Sequence, residues 1–135
     1  MGEEATSVER RLPVGAEVTE AGVHFRVWAP RRKDVRVVLE GAEPEQGSFP
    51  LMAEGNGYFS ALVPTAEAGT LYWYQVDDET TKYPDPASRF QPQGVHGPSE
   101  VIDPARYSWQ DEGWRGVPLP GQILYELHIG TFTPE

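Results

Sequence analysis

Three groups of residues carry types that could do chemistry, and their spacing decides how far each can be taken. His24, His96 and His128 lie far apart, and the chain holds no Cys. That pattern offers no ligand spacing for a metal, because metal sites draw clustered thiolates, imidazoles and carboxylates from short motifs. Asp85, Ser88 and His96 supply the residue types of a hydrolytic triad within one short stretch. Asp-Pro-x-Ser is also ordinary turn and capping chemistry, and no strained nucleophile elbow surrounds Ser88. Asp77-Asp78-Glu79 sits at an expected hairpin tip, where water keeps carboxylates ionised; a general acid needs burial to move its pKa. No catalytic residue, metal site or cofactor is read from these groups.

The aromatics carry the remaining chemistry. Sugars stack their C–H faces on indole and phenol rings, each ring contributing on the order of 1 kcal/mol. Trp28 falls opposite the apolar Val23/Phe25/Val27 face, and either Trp73 or the Tyr72/Tyr74 pair must also turn away from a core. Such a face could hold an α-glucan. The competing and weightier reading is that these rings complete the core or pack against a further domain.

The elements that must position these residues are strands. Gly22 opens the first clear one, with Val23, Phe25, Val27 and Ala29 alternating against His24, Arg26 and Trp28. Residues 35–40 form a second, with Val35, Val37 and Leu39 inward. Residues 49–53 and 58–63 read as a hairpin around Glu54-Gly55-Asn56-Gly57, since Asn-Gly suits a turn needing positive φ at both central positions. Residues 70–76 form a strong strand, 81–83 its short partner, and 100–102 a last edge strand. Leu12 to Ala16 can pair briefly at an edge. Strand starts near 23, 35, 49, 58 and 70 recur every roughly 9–14 residues, the rhythm of a sandwich.

The last segment stands out. Ile123, Tyr125, Leu127 and Ile129 line one face at period two, with Leu124, Glu126 and His128 on the other. This is the strongest strand signal in the chain. It predicts the first strand of a second domain, the rest of which would follow Glu135.

Composition agrees with an all-β domain. The 135 residues include 4 Trp, 6 Tyr and 5 Phe, enough for a real core, while 14 Gly and 13 Pro suit short strands joined by many turns. A net charge of −10 gives no electrostatic footprint for nucleic acid or anionic membrane. The acidic N-terminus and the lack of a long apolar run argue against a signal peptide, so the cytoplasm is the expected compartment. The divisions expected are a tail at 1–10, an all-β immunoglobulin-like sandwich at 11–104, a connector at 105–122, and the extra strand at 123–135.

Gly22-Val23-His24-Phe25-Arg26-Val27-Trp28-Ala29-Pro30 resembles the opening strand of N-terminal sandwich modules in α-amylase-family enzymes, which are related to glycogen-binding modules. Two later stretches, residues 84–99 and Tyr125-Glu126-Leu127-His128-Ile129-Gly130-Thr131-Phe132-Thr133, closely resemble the maltooligosyltrehalose trehalohydrolase family. A branching enzyme is expected to carry a Gly-Ser-Trp type ending where this chain has Gly130-Thr131-Phe132. The resemblance spans roughly residues 10–135. It implies an early-set, glycogen-binding-module-like sandwich, followed by a connector and strand one of a truncated (β/α)8 barrel. The activity implied is hydrolysis of the α-1,4 bond next to the terminal trehalose unit. The resemblance places the catalytic carboxylates on later barrel strands, C-terminal to Glu135, so no catalytic residue is assigned within these 135 positions. The barrel itself is the implied partner, and Glu126 and His128 would point into it.

Candidate substrate-binding or interdomain residues are therefore Trp28, Trp73, Arg89, Phe90, His96, His128 and Phe132. The alternatives are an autonomous module binding glycogen or maltooligosaccharide, the N-terminal module of a branching or debranching enzyme, and an unrelated immunoglobulin-like interaction domain.

Overall fold

A computed structural model describes residues 10–43, 46–77 and 80–132. Two antiparallel sheets pack face to face. One carries β1 (Gly15–Thr19), β2 (Gly22–Trp28), β6 (Tyr58–Val63) and β5 (Met52–Gly55), in the order β1-β2-β6-β5. The other runs β4 (Ser48–Pro50), β3 (Val35–Leu39), β7 (Leu71–Val76), β8 (Lys82–Tyr83), with β9 (Ser99–Glu100) also pairing β7.

The period-two patterns explain which faces meet. Val23, Phe25 and Val27 of β2 face Val35 and Val37 of β3 and Tyr72 and Tyr74 of β7 in one core. Tyr72 lies edge-on to Phe25, ring centroids 4.8 Å apart, and edge-on to Tyr74 at 5.9 Å. The choice left open on β7 resolves with the two tyrosines inward and Trp73 outward. The β5–β6 turn is the Asn-Gly type expected, with Asn56 at φ 50° and Gly57 at φ 82°. A Cβ on Gly57 would come within 2.6 Å of Pro30, so only glycine lets the turn close on the β2 exit.

Four strand readings change, the last edge strand being Ser99–Glu100 in place of 100–102. Residues 49–53 do not form one strand: β4 belongs to the β3 sheet and β5 to the β6 sheet. The chain changes sheets at Leu51, which is buried and donates its N–H to the Val35 carbonyl (2.8 Å). The first strand is Gly15–Thr19, fully paired with β2 from Gly15↔Arg26 to Thr19↔Gly22. Its polar Glu17 hid it in the sequence, because that side chain is buried among backbone donors.

The strand expected at 123–129 is not formed in this chain. Residues 122–128 have no regular structure, and Ile129–Phe132 makes a single helical turn with the Thr131 N–H on the His128 carbonyl. Ile123 and Leu124 are 94% and 90% exposed. A strand needs ladder partners for its backbone groups, and no described strand pairs with this segment. The end of the extra strand expected at 123–135, from Thr133 to Glu135, lies outside the described residues. Among the described residues no helix is long and apolar enough to cross a membrane.

Candidate functional site

A largely apolar cleft of about 420 Å³ lies at one end of the sandwich. It is built where β2 leaves its sheet and β8 ends. Trp28, Pro30, Val76, Tyr83, Pro84 and Pro86 line it, together with Arg31 and Arg32. Trp28 is 58% exposed, yet its ring is anchored. The indole N–H donates to the Asn56 carbonyl (3.1 Å), and the Ala29 N–H donates to the Gly57 carbonyl (2.8 Å).

The Pro30–Asp34 turn beside it is tied down by Asp77. One Asp77 oxygen accepts the backbone N–H of Lys33 (2.9 Å) and Asp34 (3.2 Å), and the other pairs with Arg32 (3.3 Å). Those two backbone donors hold the Asp77 carboxyl below the usual carboxylate range. Asp77 is thus a turn fastener; Asp78 and Glu79, the other members of that acidic run, lie outside the described residues. The cleft offers an aromatic platform, apolar walls and guanidinium donors. Among the described residues its lining includes no carboxylate and no imidazole.

The other sequence candidates fall elsewhere. Trp73 is on the outer face of the opposite sheet, its indole N–H donating to the Glu40 carboxylate. With Trp28 and Trp73 on different sheets, the two indoles do not form one platform. Arg89 is a structural clamp, donating to the carbonyls of Ala16 (3.1 Å) and Val14 (3.2 Å). Gly15 makes room for it: at φ 86°, a Cβ there would lie 2.8 Å from the guanidinium. Phe90 and His96 share the loop between β8 and β9, both exposed. His128 is exposed in the irregular terminal segment and Phe132 is 60% exposed at its end. Glu135, the position after which the catalytic carboxylates are expected, is among the residues not described, so the structure leaves that expectation untouched.

Sequence reasoning passed over two buried polar networks. Asp85 is 4% exposed. Its carboxylate accepts the Tyr72 hydroxyl (2.6 Å) and the Ala87 N–H (2.7 Å), while its own N–H donates to Ser99 Oγ (3.0 Å). Burial pushes the Asp85 carboxyl up, with the Tyr72 bond opposing, and burial beside Asp85 pushes the Tyr72 hydroxyl up as well. Ser88 Oγ donates to the Phe90 carbonyl (3.0 Å), so Asp85 and Ser88 serve loop structure and no triad forms.

In the second network Arg10 donates to the carbonyls of His24 (2.7 Å), Gly15 (2.8 Å) and Leu12 (3.1 Å), and meets His24 Nδ1 at 2.6 Å. Glu17 accepts the N–H groups of Arg11 (3.0 Å) and Leu12 (3.1 Å). The signal available was Pro-flanked Asp85 and an acid inside a strand, both of which require partners once buried. Among the described residues no group of three His, Cys, Asp or Glu gathers to hold a metal ion.

Comparison with known proteins places this architecture. Over 124 residues the chain is 40% identical to a malto-oligosyltrehalose trehalohydrolase from Saccharolobus solfataricus, covering 92% of this chain and 21% of that protein. Against the enzyme of the same name from Arthrobacter ramosus it is 43% identical over 113 residues, 82% of this chain and 19% of that one. The chain thus spans about a fifth of the length of the curated relatives it matches. A 1.4 Å crystal structure from Salmonella typhimurium, of a protein assigned as an alpha amylase, superposes with a TM-score of 0.73 at 38% identity, covering 90% of this chain and 20% of that one. The model of carbohydrate-binding module 48, the isoamylase N-terminal domain, matches residues 13–104. Two sheets, this strand order and that match together make the chain a member of the carbohydrate-binding module 48 family.

Proposed function

We propose that this chain is the N-terminal accessory module of a glycoside hydrolase that releases trehalose from maltooligosyl trehalose by cleaving an α-1,4-glucosidic bond. One observation carries the reading. A match covering 124 residues cannot end where the family model ends, at residue 104, so likeness to the trehalohydrolases continues into the segment beyond the sandwich. That segment has an apolar period-two face and stands unpaired, as strand one of a barrel would without its neighbours. In this reading Glu126 and His128 face the barrel interior and residues 128–132 lie toward its active-site end. The module braces the barrel and shapes one wall of the substrate cleft, while the catalytic acids belong to the parent polypeptide beyond Glu135. A cytoplasmic location belongs to the same proposal.

The test is product analysis on the full-length enzyme given maltooligosyl trehalose. Trehalose is the expected product; glucose or a branched glucan would overturn the reading.

The anchored Trp28 and its cleft favour one second reading, an autonomous module for α-glucan. Titrating this chain with maltoheptaose while following tryptophan fluorescence separates the two. Bracing predicts no saturable change. A saturable change abolished by Trp28→Ala would establish the binding module.

A further inference from the structure

The stretch joining β8 to β9, residues 84–98, has no regular structure of its own. Loops of more than about 12–15 residues without secondary structure are uncommon in compact domains and are usually functional. This one is also held with unusual thoroughness by polar contacts. Asp85, Tyr72 and Ser99 fasten its base in the interior, and Arg89 ties it to the first strand. The Gln91 side-chain amide spans its tip, donating to the Val95 carbonyl (3.2 Å) and the Gly97 carbonyl (3.4 Å). Two turns close it, Gly94 N–H on Gln91 and Gly97 N–H on Gly94 (3.1 and 2.9 Å), and Glu100 N–H binds the Phe90 carbonyl (2.9 Å).

A free loop commonly orders itself by turning apolar side chains inward. Pro98 is buried at its end, but along the rest of the loop polar contacts supply the order, and Phe90 is 47% exposed and Val95 72%, with His96 exposed beside them. The loop is preorganised to present that surface, which lowers the ordering cost of being bound.

We propose that this loop is a rigid docking prong, with Phe90, Val95 and His96 seating against the catalytic part of the same parent polypeptide. The inference rests on the function proposed above, and three observations choose this occupant. The relatives carry about four fifths of their length outside the matched region. The chain leaves the sandwich immediately after the loop, through β9 and the 3₁₀ turn Pro104–Arg106. Arg89 also ties the loop to the carbonyls of Val14 and Ala16, and the connector residues Tyr107 and Trp109 line one cleft with Leu12 and Val18. The loop and the exit path thus both meet the segment from Leu12 to Val18. A valine at the apex suits an apolar protein pocket better than a sugar ring, which prefers a flat aromatic face.

The experiment uses the full-length enzyme with Phe90→Asp and Val95→Asp combined. Trypsin cleavage at exposed Arg106 and Arg115 of the connector should run about tenfold faster, the change expected when a docked valine-sized side chain loses its burial. The single unfolding transition should also split into two. The same pair of changes in the 135-residue chain should leave its unfolding midpoint in place; if it falls, the milder pair Phe90→Ala and Val95→Ala replaces it. Unchanged cleavage with one transition overturns the proposal. So does a raised KM for maltooligosyl trehalose at unchanged cleavage, which would put the loop on sugar, or an effect that follows protein concentration, which would put it on a second copy. If the parent releases no trehalose yet the variant still uncouples its two parts, the proposed function falls and the docking stands.

Discussion

Tyr72 and Tyr74 lie two residues apart on β7, both within the core, yet their hydroxyls differ in kind. Tyr72 donates to buried Asp85. Tyr74 Oη is the one buried side-chain polar atom among the described residues with no hydrogen-bond partner. Removing one partner of a buried pair leaves a desolvated group unpaired, whereas deleting an orphan removes a cost. Tyr72→Phe should therefore lose about 1–3 kcal/mol in urea unfolding, and Tyr74→Phe should be neutral or stabilising. Equal effects would sink the distinction. His24 provides a second case. Burial, and then the Arg10 guanidinium, hold it below the ordinary imidazole range, with Glu54 and Glu17 opposing and Arg26 reinforcing. A depressed histidine favours the neutral ring in the fold, so its contribution is full above the unfolded pKa of about 6.5 and is lost as pH falls toward the folded value. Glu17 is also held low: its two backbone donors and Arg10 outweigh its desolvation. Its contribution is lost only at lower pH, below the ordinary carboxylate range, so the two are separable. His24 should therefore make stability decline as pH falls below about 6.5, while the raised Asp85 carboxyl contributes in the opposite direction on acidification. His24→Asn, which keeps an acceptor for Arg10, should flatten that decline; an unchanged slope would assign it to other groups.

At the scale of elements, the Asn56-Gly57 turn and the Trp28 platform are one unit. The turn carbonyls of Asn56 and Gly57 hold the indole and Ala29, and the missing Cβ lets the turn rest on Pro30. Gly57→Ala combines a positive φ with a 2.6 Å approach to Pro30, so it should cost about 1–3 kcal/mol. It should also shift Trp28 fluorescence, and a stability loss without a spectral change would separate the turn from the ring. The terminal segment behaves oppositely. With Ile123 and Leu124 almost fully exposed, it adds little to the sandwich and offers an apolar edge for association. Deleting residues 122–135 should leave cooperative unfolding intact and raise the monomeric fraction in sedimentation. Loss of cooperativity would show that the segment stabilises the sandwich.

The whole molecule is a complete sandwich carrying an unpartnered extension. The core closes between the two sheets without any described residue after Val101, and apart from Trp28, Met52 and Tyr83 the exposed large apolar side chains lie in the loop and from Tyr107 onward. This distribution makes a prediction for hydrogen exchange. Amides of residues 123–128 should exchange freely in this chain and become protected in the parent enzyme, where a barrel strand would have ladder partners. Free exchange in the parent would remove the barrel assignment.

The sequence by itself determined the sheet faces of β2 and β3, the Asn-Gly turn, and family membership, while the face of β7 was left to the structure. Period-two burial and positive φ are local properties that a single strand or turn expresses. Only the tertiary structure decided where residues 49–53 change sheets, that Gly15–Thr19 is a strand around a buried Glu17, and that Trp28 and Trp73 face different ways. It also showed Arg89 to be a clamp and the segment at 123–128 to be unpaired. Each of these depends on a partner distant in sequence. A polar side chain is buried only if a donor waits for it, and a strand forms only if another lies alongside. The terminal segment satisfies every local condition for a strand and lacks the neighbour.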